Sequence, residues 1–257
     1  MQNGSLQLGR FSERPCFELC LCRGLGAMTA VFDLQKIYIG YFGRAADPSG
    51  LDYWLGRYNA GMSLVDIASS FAVQNESKAM YTYLALPTLG VGVENFLNSV
   101  YLNLFNRQLD AEGRNYWSSQ LAGGKAVGRV IIDIISGAQG DDALIIANKV
   151  SVASFYTTEV IRQGAIWGDD VAGDLADARS VLVGVDKSTA TVAAGQLVAS
   201  SLVALDANHA PVAQSQTVSG TEDVVFKGTV AASDVDGDAL TYAVVGSPVG
   251  GSVSLNA

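Results

Sequence analysis

The feature that most constrains the fold of this chain is an internal repeat with an offset of 63 residues. The segment from Tyr38 to Trp54 aligns without a gap with the segment from Tyr101 to Trp117, and seven of the seventeen positions are identical. Agreement at so many uncommon residue types indicates a duplicated structural unit. The identical pairs are Tyr38/Tyr101, Phe42/Phe105, Arg44/Arg107, Asp47/Asp110, Gly50/Gly113, Tyr53/Tyr116 and Trp54/Trp117.

Each copy of the repeat predicts a first helix that ends at a glycine or asparagine and a second helix that begins at an aspartate. Tyr38 and Phe42 lie four residues apart, which places two aromatic rings on one helix face. Gly43, or Asn106 in the second copy, tolerates the left-handed backbone that commonly ends a helix. Asp47 precedes a proline, and this order is a good signal for the start of a helix.

A third helix is predicted after the Tyr–Trp pair of each copy. The Tyr–Trp pair itself falls on the second helix, where its rings can pack back on the first helix. In the second copy, Asp110 can cap the second helix. The duplicated unit is therefore expected to consist of three short helices per copy. Apolar residues of the third helix stand in helical register at Leu64, Ile67, Ala68 and Phe71, and again at Val127, Val130, Ile131 and Ile134.

The motif, a Gly or Asn, then Arg, Asp, Gly and Tyr–Trp at fixed spacing, resembles the bacterial DUF4214 family. The resemblance covers about residues 30–135, within a helical domain assigned to residues 28–156, and residues 147–156 resemble the helix that often follows. It implies a module of large secreted, S-layer-like or hemolysin-type calcium-binding proteins, and it implies no reaction. Because some surface-layer proteins hold envelope polysaccharide with related helices, it also implies a binding role.

Two interpretations of the repeated residues remain open from the sequence. Arg44 and Asp47, with Arg107 and Asp110, are expected to cap helices and fix the turn between them, and the alternative is a ligand site. The aromatic pairs are expected in the core, and the alternative is a platform for sugars. If such a surface exists, Tyr41, Tyr58, Tyr81 and Tyr83 are equally good candidates for it.

The chain changes character at Asn208. Residues 157–207 carry a helical stripe and predict packing helices and a connector. From residue 208 onward, alternating strand-like runs are separated by turns rich in Asp and Gly. Residues 208–257 resemble bacterial cadherin-like modules of the tandem-95 or VCBS type. Such a sandwich needs near 100 residues, so the module is expected to be truncated.

Calcium is the cofactor that this C-terminal segment predicts. Asp234, Asp236 and Asp238 stand at alternate positions around Gly237, so three carboxylates can converge on a hard cation that prefers oxygen ligands. The cadherin resemblance implies Glu222, and Asp206 or Asn208 at the junction, as further ligands. The alternative is an ordinary solvated turn.

The first 27 residues are expected to be a non-native or disordered leader. All three cysteines lie there, at Cys16, Cys20 and Cys22. They do not form a convincing zinc site, because a tetrahedral site usually has four ligands. Charged residues interrupt the apolar run after Cys16, so no conventional export signal is evident. Export would then depend on a C-terminal signal, as in type I secretion.

Charge and motifs narrow the function. The formal net charge is −9, so no part is basic enough to bind nucleic acid unaided. The uncharged stretch 188–205 carries too many Ser, Thr and Gln residues for a transmembrane helix and favours a surface helix. The single histidine, His209, lies beside a proline in a linker, and no catalytic or nucleotide-binding motif is present. An enzyme is not expected.

The sequence thus predicts a multi-domain bacterial protein, mainly α-helical in its N-terminal region, with a partial β-sandwich at its C-terminus. Its expected role is a secreted or cell-surface module for polysaccharide attachment, adhesion or S-layer-type assembly. The expected partners are envelope polysaccharide, other surface proteins or further copies of the chain. The alternative is a targeting or regulatory region of a secreted hydrolase.

Overall fold

The computed structural model describes residues 25–87, 91–165, 167–168, 171–206, 211–215, 224–225, 227–234, 239–246 and 252–255. These residues form eleven helices and one two-stranded sheet near the C-terminus, which confirms the predicted fold class. The chain divides into two compact units, residues 1–206 and residues 207–257. We call them the helical unit and the C-terminal unit.

The first copy of the repeat forms three helices, as predicted: α1 (Leu25–Phe42), α2 (Pro48–Asn59) and α3 (Leu64–Ala72). Helix α1 ends at Gly43, whose φ of 62° lies in the left-handed region. Asp47 caps α2, because its carboxylate accepts a hydrogen bond from the Gly50 N–H at 2.5 Å.

The second copy repeats this arrangement with α6 (Val93–Phe105), α7 (Ala111–Ala122) and α8 (Val127–Ser136). Asn106 ends α6 with a φ of 58°, and Asp110 accepts from the Gly113 N–H at 2.7 Å. Asn106 is the one residue other than glycine, in the described part of the chain, that has a positive φ. The predicted caps are therefore confirmed in both copies.

The described residues of the helical unit form five more helices. Two short ones, α4 (Asn75–Met80) and α5 (Thr82–Ala85), join the two copies. After the second copy come α9 (Gly140–Gln163), α10 (Val171–Ser180) and α11 (Thr189–Asp206). Helix α9 packs against α1, α6 and α11, so it covers the copies on one side and supports the last helix on the other.

The two copies pack against each other through equivalent positions. Helix α1 crosses its counterpart α6 where the Asn103 side chain donates to the Gly40 carbonyl at 3.2 Å, and these positions are 63 residues apart. Helix α3 packs on its counterpart α8, where Gly128 lies against Val65, again its own equivalent. Contacts between equivalent positions indicate an approximate internal two-fold axis, as in a symmetric dimer.

A cluster of aromatic rings forms the core of the first copy. Phe71 on α3 contacts Tyr38 at 4.9 Å between ring centroids and Trp54 at 5.2 Å, and all three side chains are buried. The aromatic pair Tyr38 and Phe42 therefore lies in the core, as predicted. The third-helix positions Ile67, Ala68 and Phe71, with Val130, Ile131 and Ile134, are buried as their register indicates.

The C-terminal unit contains two short strands, β1 (Val212–Ala213) and β2 (Ala232–Ser233). They pair antiparallel with Val212 opposite Ser233, and the Gln214 N–H donates to the Ala231 carbonyl. If this register is continued by one residue, position 234 lies opposite position 211.

Candidate functional site

The repeated arginine of the first copy is the centre of a buried ion-pair network. Arg44 is 4% exposed, and its guanidinium donates to both carboxylate oxygens of Glu76, at 3.2 and 3.0 Å. Asp47 is 3.6 Å away, and the guanidinium lies 5.1 Å from the ring centroids of both Tyr38 and Phe42. This arginine therefore fixes the turn, as the structural interpretation predicts, although its closest carboxylate is on α4 and not in the motif.

The second copy keeps this geometry at the protein surface. Arg107 donates to Asp142 at the start of α9, at 3.0 and 2.7 Å, and lies 5.1 Å from the Tyr101 ring. Its side chain is 44% exposed, and the hydrogen bonds to Asp142 raise the pKa of Arg107. The expected contact with Asp110 is long, at 4.0 Å. In both copies the main carboxylate partner comes from the helix that follows the third helix.

A second equivalent contact was missed by the sequence analysis. The side-chain oxygen of Gln35 accepts from the Ala46 N–H at 3.0 Å, and that of Asn98 accepts from the Leu109 N–H at 3.2 Å. Gln35 and Asn98 stand 63 residues apart, and both side chains are amides. Extending the repeat alignment beyond its N-terminal end at Tyr38 would therefore have indicated that the two residues are equivalent.

The Tyr–Trp pairs divide between core and surface. Trp54 is buried, and Trp117 is half-buried and donates from Nε1 to the Tyr101 hydroxyl at 3.0 Å. Tyr53 and Tyr116, in contrast, are 57% and 53% exposed. Each tyrosine ring contacts its tryptophan edge-on, at 4.9 and 4.8 Å between centroids. The prediction of a core position therefore holds for the tryptophans and is wrong for the tyrosines.

Three of the four tyrosines proposed for a sugar surface are buried, so that prediction is wrong for Tyr41, Tyr81 and Tyr83. Tyr41 donates its hydroxyl hydrogen to the Ala68 carbonyl at 2.8 Å, and Tyr81 donates to the Tyr41 carbonyl. Burial raises the pKa of Tyr81 to about 12. These hydroxyls join helices inside the core, and only Tyr58 of the four is exposed.

A buried lysine was also missed. Lys149, on α9, is 4% exposed and donates from Nζ to the Asn103 carbonyl near the end of α6. Burial lowers its pKa to about 8, because the charged form loses hydration. The family resemblance predicted a following helix here, but a lysine on its inner face has no sequence signature.

Most of the predicted calcium ligands lie outside the described residues: Glu222, Asp236, Asp238 and Asn208. Asp206 is the last residue of α11. Asp234 directly follows β2 and is half-buried. Among the described residues, no three His, Cys, Asp or Glu side chains form a group that could hold a metal ion.

Comparison with protein families supports both resemblances. Residues 88–137 match the family model described as domain of unknown function (DUF4214), and residues 208–257 match the model described as bacterial Ig domain. The first match covers the second copy of the repeat, α6 to α8. The two resemblances drawn from the sequence are thereby confirmed. No curated protein and no solved structure matches the chain.

The two matched domain types are compatible with a surface or extracellular protein. None of the helices in the described part of the chain is long and apolar enough to cross a membrane.

Proposed function

We propose that this chain is a non-catalytic module of a bacterial surface or secreted protein, and that its helical unit attaches to cell-envelope polysaccharide. The observation that carries the proposal is the exposure of Tyr53 and Tyr116 at equivalent positions of the two copies. An exposed ring held against a tryptophan offers an apolar face with a polar hydroxyl at its edge, which suits the alternating C–H and O–H surface of a sugar.

Two equivalent tyrosines also favour a repeating ligand. A polysaccharide presents the same sugar many times along one chain, and binding at a second site on the same chain raises the overall affinity without new kinds of contact. The structural role of the tyrosines is small, because more than half of each side chain remains in solvent. Retention of exposed aromatic residues at both positions is therefore better explained by binding than by packing.

The test is co-sedimentation of the full chain with a panel of purified bacterial cell-wall polysaccharides. We expect Tyr53→Ala and Tyr116→Ala each to weaken binding, and the double variant to lose more than about tenfold because both sites are gone. Tyr242→Ala is the matched control, since Tyr242 is 48% exposed but lies in the C-terminal unit, outside the repeated helices. Equal binding by the double variant and wild type would refute the proposal.

Calcium binding by the C-terminal unit is the second part of the proposed function. The strand register supports it, because Ser233, which directly precedes Asp234, lies opposite Val212, and Val212 is close in sequence to Asn208. We propose that Asp234, Asp236 and Asp238 bind calcium together with Glu222 and Asp206 or Asn208, and that the ion orders this unit for adhesion or assembly.

Calcium titration followed by amide hydrogen exchange tests this part. Millimolar calcium should protect the amides around β2 in the wild type and not in Asp234→Ala/Asp236→Ala, because a ligand that binds the folded form stabilises it. Magnesium serves as the control, since it is smaller and dehydrates reluctantly. If amide exchange is equal in both proteins with and without calcium, the proposed site is only an acidic turn.

A further inference from the structure

A cavity of about 200 Å³ lies where the ends of α1 and α6 meet α9 and the residues after α10. Lys149 and Arg179 line it together with the side chains of Asn103 and Asn106. No Asp or Glu is among its described lining residues. This is a distinctive composition in a chain with a formal net charge of −9.

The ammonium group of Lys149 is buried, and the described residues offer it no counter-charge. Its one hydrogen bond in the described structure goes to the Asn103 carbonyl, although an ammonium carries three donors. No carboxylate in the described part of the chain lies within ion-pair distance of it, and burial alone lowers its pKa. Capping the end of α6 accounts for one donor and leaves the charge uncompensated.

The second cation of the cavity is also poorly neutralised. The closest carboxylate described near Arg179 is Glu76, at 3.9 Å between Nη2 and Oε1. Both oxygens of Glu76 already accept hydrogen bonds from Arg44. The Arg179 side chain is 41% exposed, so its planar donors remain accessible from solvent.

We infer that this cavity binds a small oxyanion, a carboxylate or phosphate group, which Lys149 and Arg179 hold together. Two cations without a lining carboxylate favour a negative ligand, and a guanidinium matches two oxygens of one oxyanion geometrically. The Asn106 amide donates one hydrogen to the Val185 carbonyl at 2.8 Å and carries a second N–H donor at the rim. The inference does not depend on polysaccharide binding by the tyrosines, because the oxyanion can be a free ion or a substituent of an acidic glycan.

Calorimetric titration of the full chain at low ionic strength tests the inference with three probes: inorganic phosphate, acetate and oligogalacturonate. Wild type is expected to bind at least one of them, and Lys149→Met and Arg179→Gln are each expected to weaken that binding by about tenfold or more. Lys187→Met is the matched control, because it removes one positive charge from an exposed pair with Asp141. Tighter binding of oligogalacturonate than of acetate identifies a glycan as the source of the carboxylate, and equal binding identifies a free ion.

A direct readout at the lysine separates this site from binding elsewhere. The NMR signal of the Lys149 Cε should titrate at a higher pH when the preferred probe is present, since a nearby anion stabilises the ammonium. Arg179→Gln should abolish this change, and that variant alters a partly exposed side chain. If no probe binds, or if binding leaves the Lys149 signal and its titration unchanged, the inference is wrong.

Discussion

The two repeated arginines allow a matched test of how burial changes the strength of an ion pair. Arg44 is 4% exposed and Arg107 has 44% of its side chain exposed, yet each donates from two nitrogens to one carboxylate. We expect Arg44→Met to lower the free energy of unfolding by about 3 kcal/mol, because the partly buried Glu76 carboxylate loses both hydrogen bonds that Arg44 donates. Arg107→Met should cost about 0 to 1 kcal/mol, the usual range for an exposed pair.

Thermal unfolding of the full chain, followed by circular dichroism at the helix signal, measures both changes. For a unit of this size about 1 kcal/mol corresponds to roughly 2 to 4 °C, so Arg44→Met should lower the midpoint by about 6 to 12 °C. Arg107→Met should lower it by less than about 4 °C. Methionine keeps much of the aliphatic volume in both variants, which limits cavity effects.

Double-mutant cycles then separate the ion pair from the other contacts of each arginine. Glu76→Gln in the Arg44 cycle should give a coupling energy of about 1.5 to 3 kcal/mol, and Asp142→Asn in the Arg107 cycle should give less than about 1 kcal/mol. Equal losses in the two single variants, or equal coupling energies, would refute the argument that burial sets the difference.

Three further predictions concern packing and pH. Gly128→Ala should destabilise the fold by about 1 to 3 kcal/mol in chemical denaturation, because its Cβ would lie 2.2 Å from the Ser69 nitrogen. Gly56→Ala is the control, and it should be neutral or stabilising because there is open space around Gly56. Trp54→Ala should cost about 3 to 5 kcal/mol in the same assay, since the ring is buried; a loss below about 1 kcal/mol would contradict its core position. Finally, the lowered pKa of Lys149 means that the unfolded state binds more protons than the folded state between about pH 8 and 10.5. The free energy of unfolding of the wild type, relative to that of Lys149→Met, should therefore rise by roughly 2 to 3 kcal/mol over that window. A difference between the two proteins that stays constant with pH would contradict this prediction.

Local signals in the sequence predicted the helices well. The ends at Gly43 and Asn106 and the caps at Asp47 and Asp110 depend on backbone preference and on contacts within a few residues, so one sequence contains the information. The buried face of each third helix was likewise predicted from the spacing of apolar residues within that helix. These elements match the structure for that reason.

Contacts between distant segments could not be predicted in the same way. Glu76 and Asp142 play equivalent roles but stand 66 residues apart, outside the identical segment and off the repeat offset. From the sequence, Tyr41 and Tyr81 were candidates for surface residues, but in the structure their hydroxyls donate to backbone carbonyls on other helices. Whether a polar side chain is inside depends on a partner that the helical pattern does not specify.

The close contacts at the internal axis constrain which copies of the repeat can pack against each other. At one crossing the first copy supplies the small residue, Gly40 against Asn103, and at the other the second copy supplies it, Gly128 against Val65. Two first copies would place a valine where a Cβ already lies 2.2 Å from the Ser69 nitrogen, whereas a Cβ at position 40 would lie 3.6 Å from the Leu104 side chain, which is an ordinary contact. The crossing at Gly128 therefore disfavours the pairing of two first copies and favours the pairing of unlike copies, which the two halves of one chain supply.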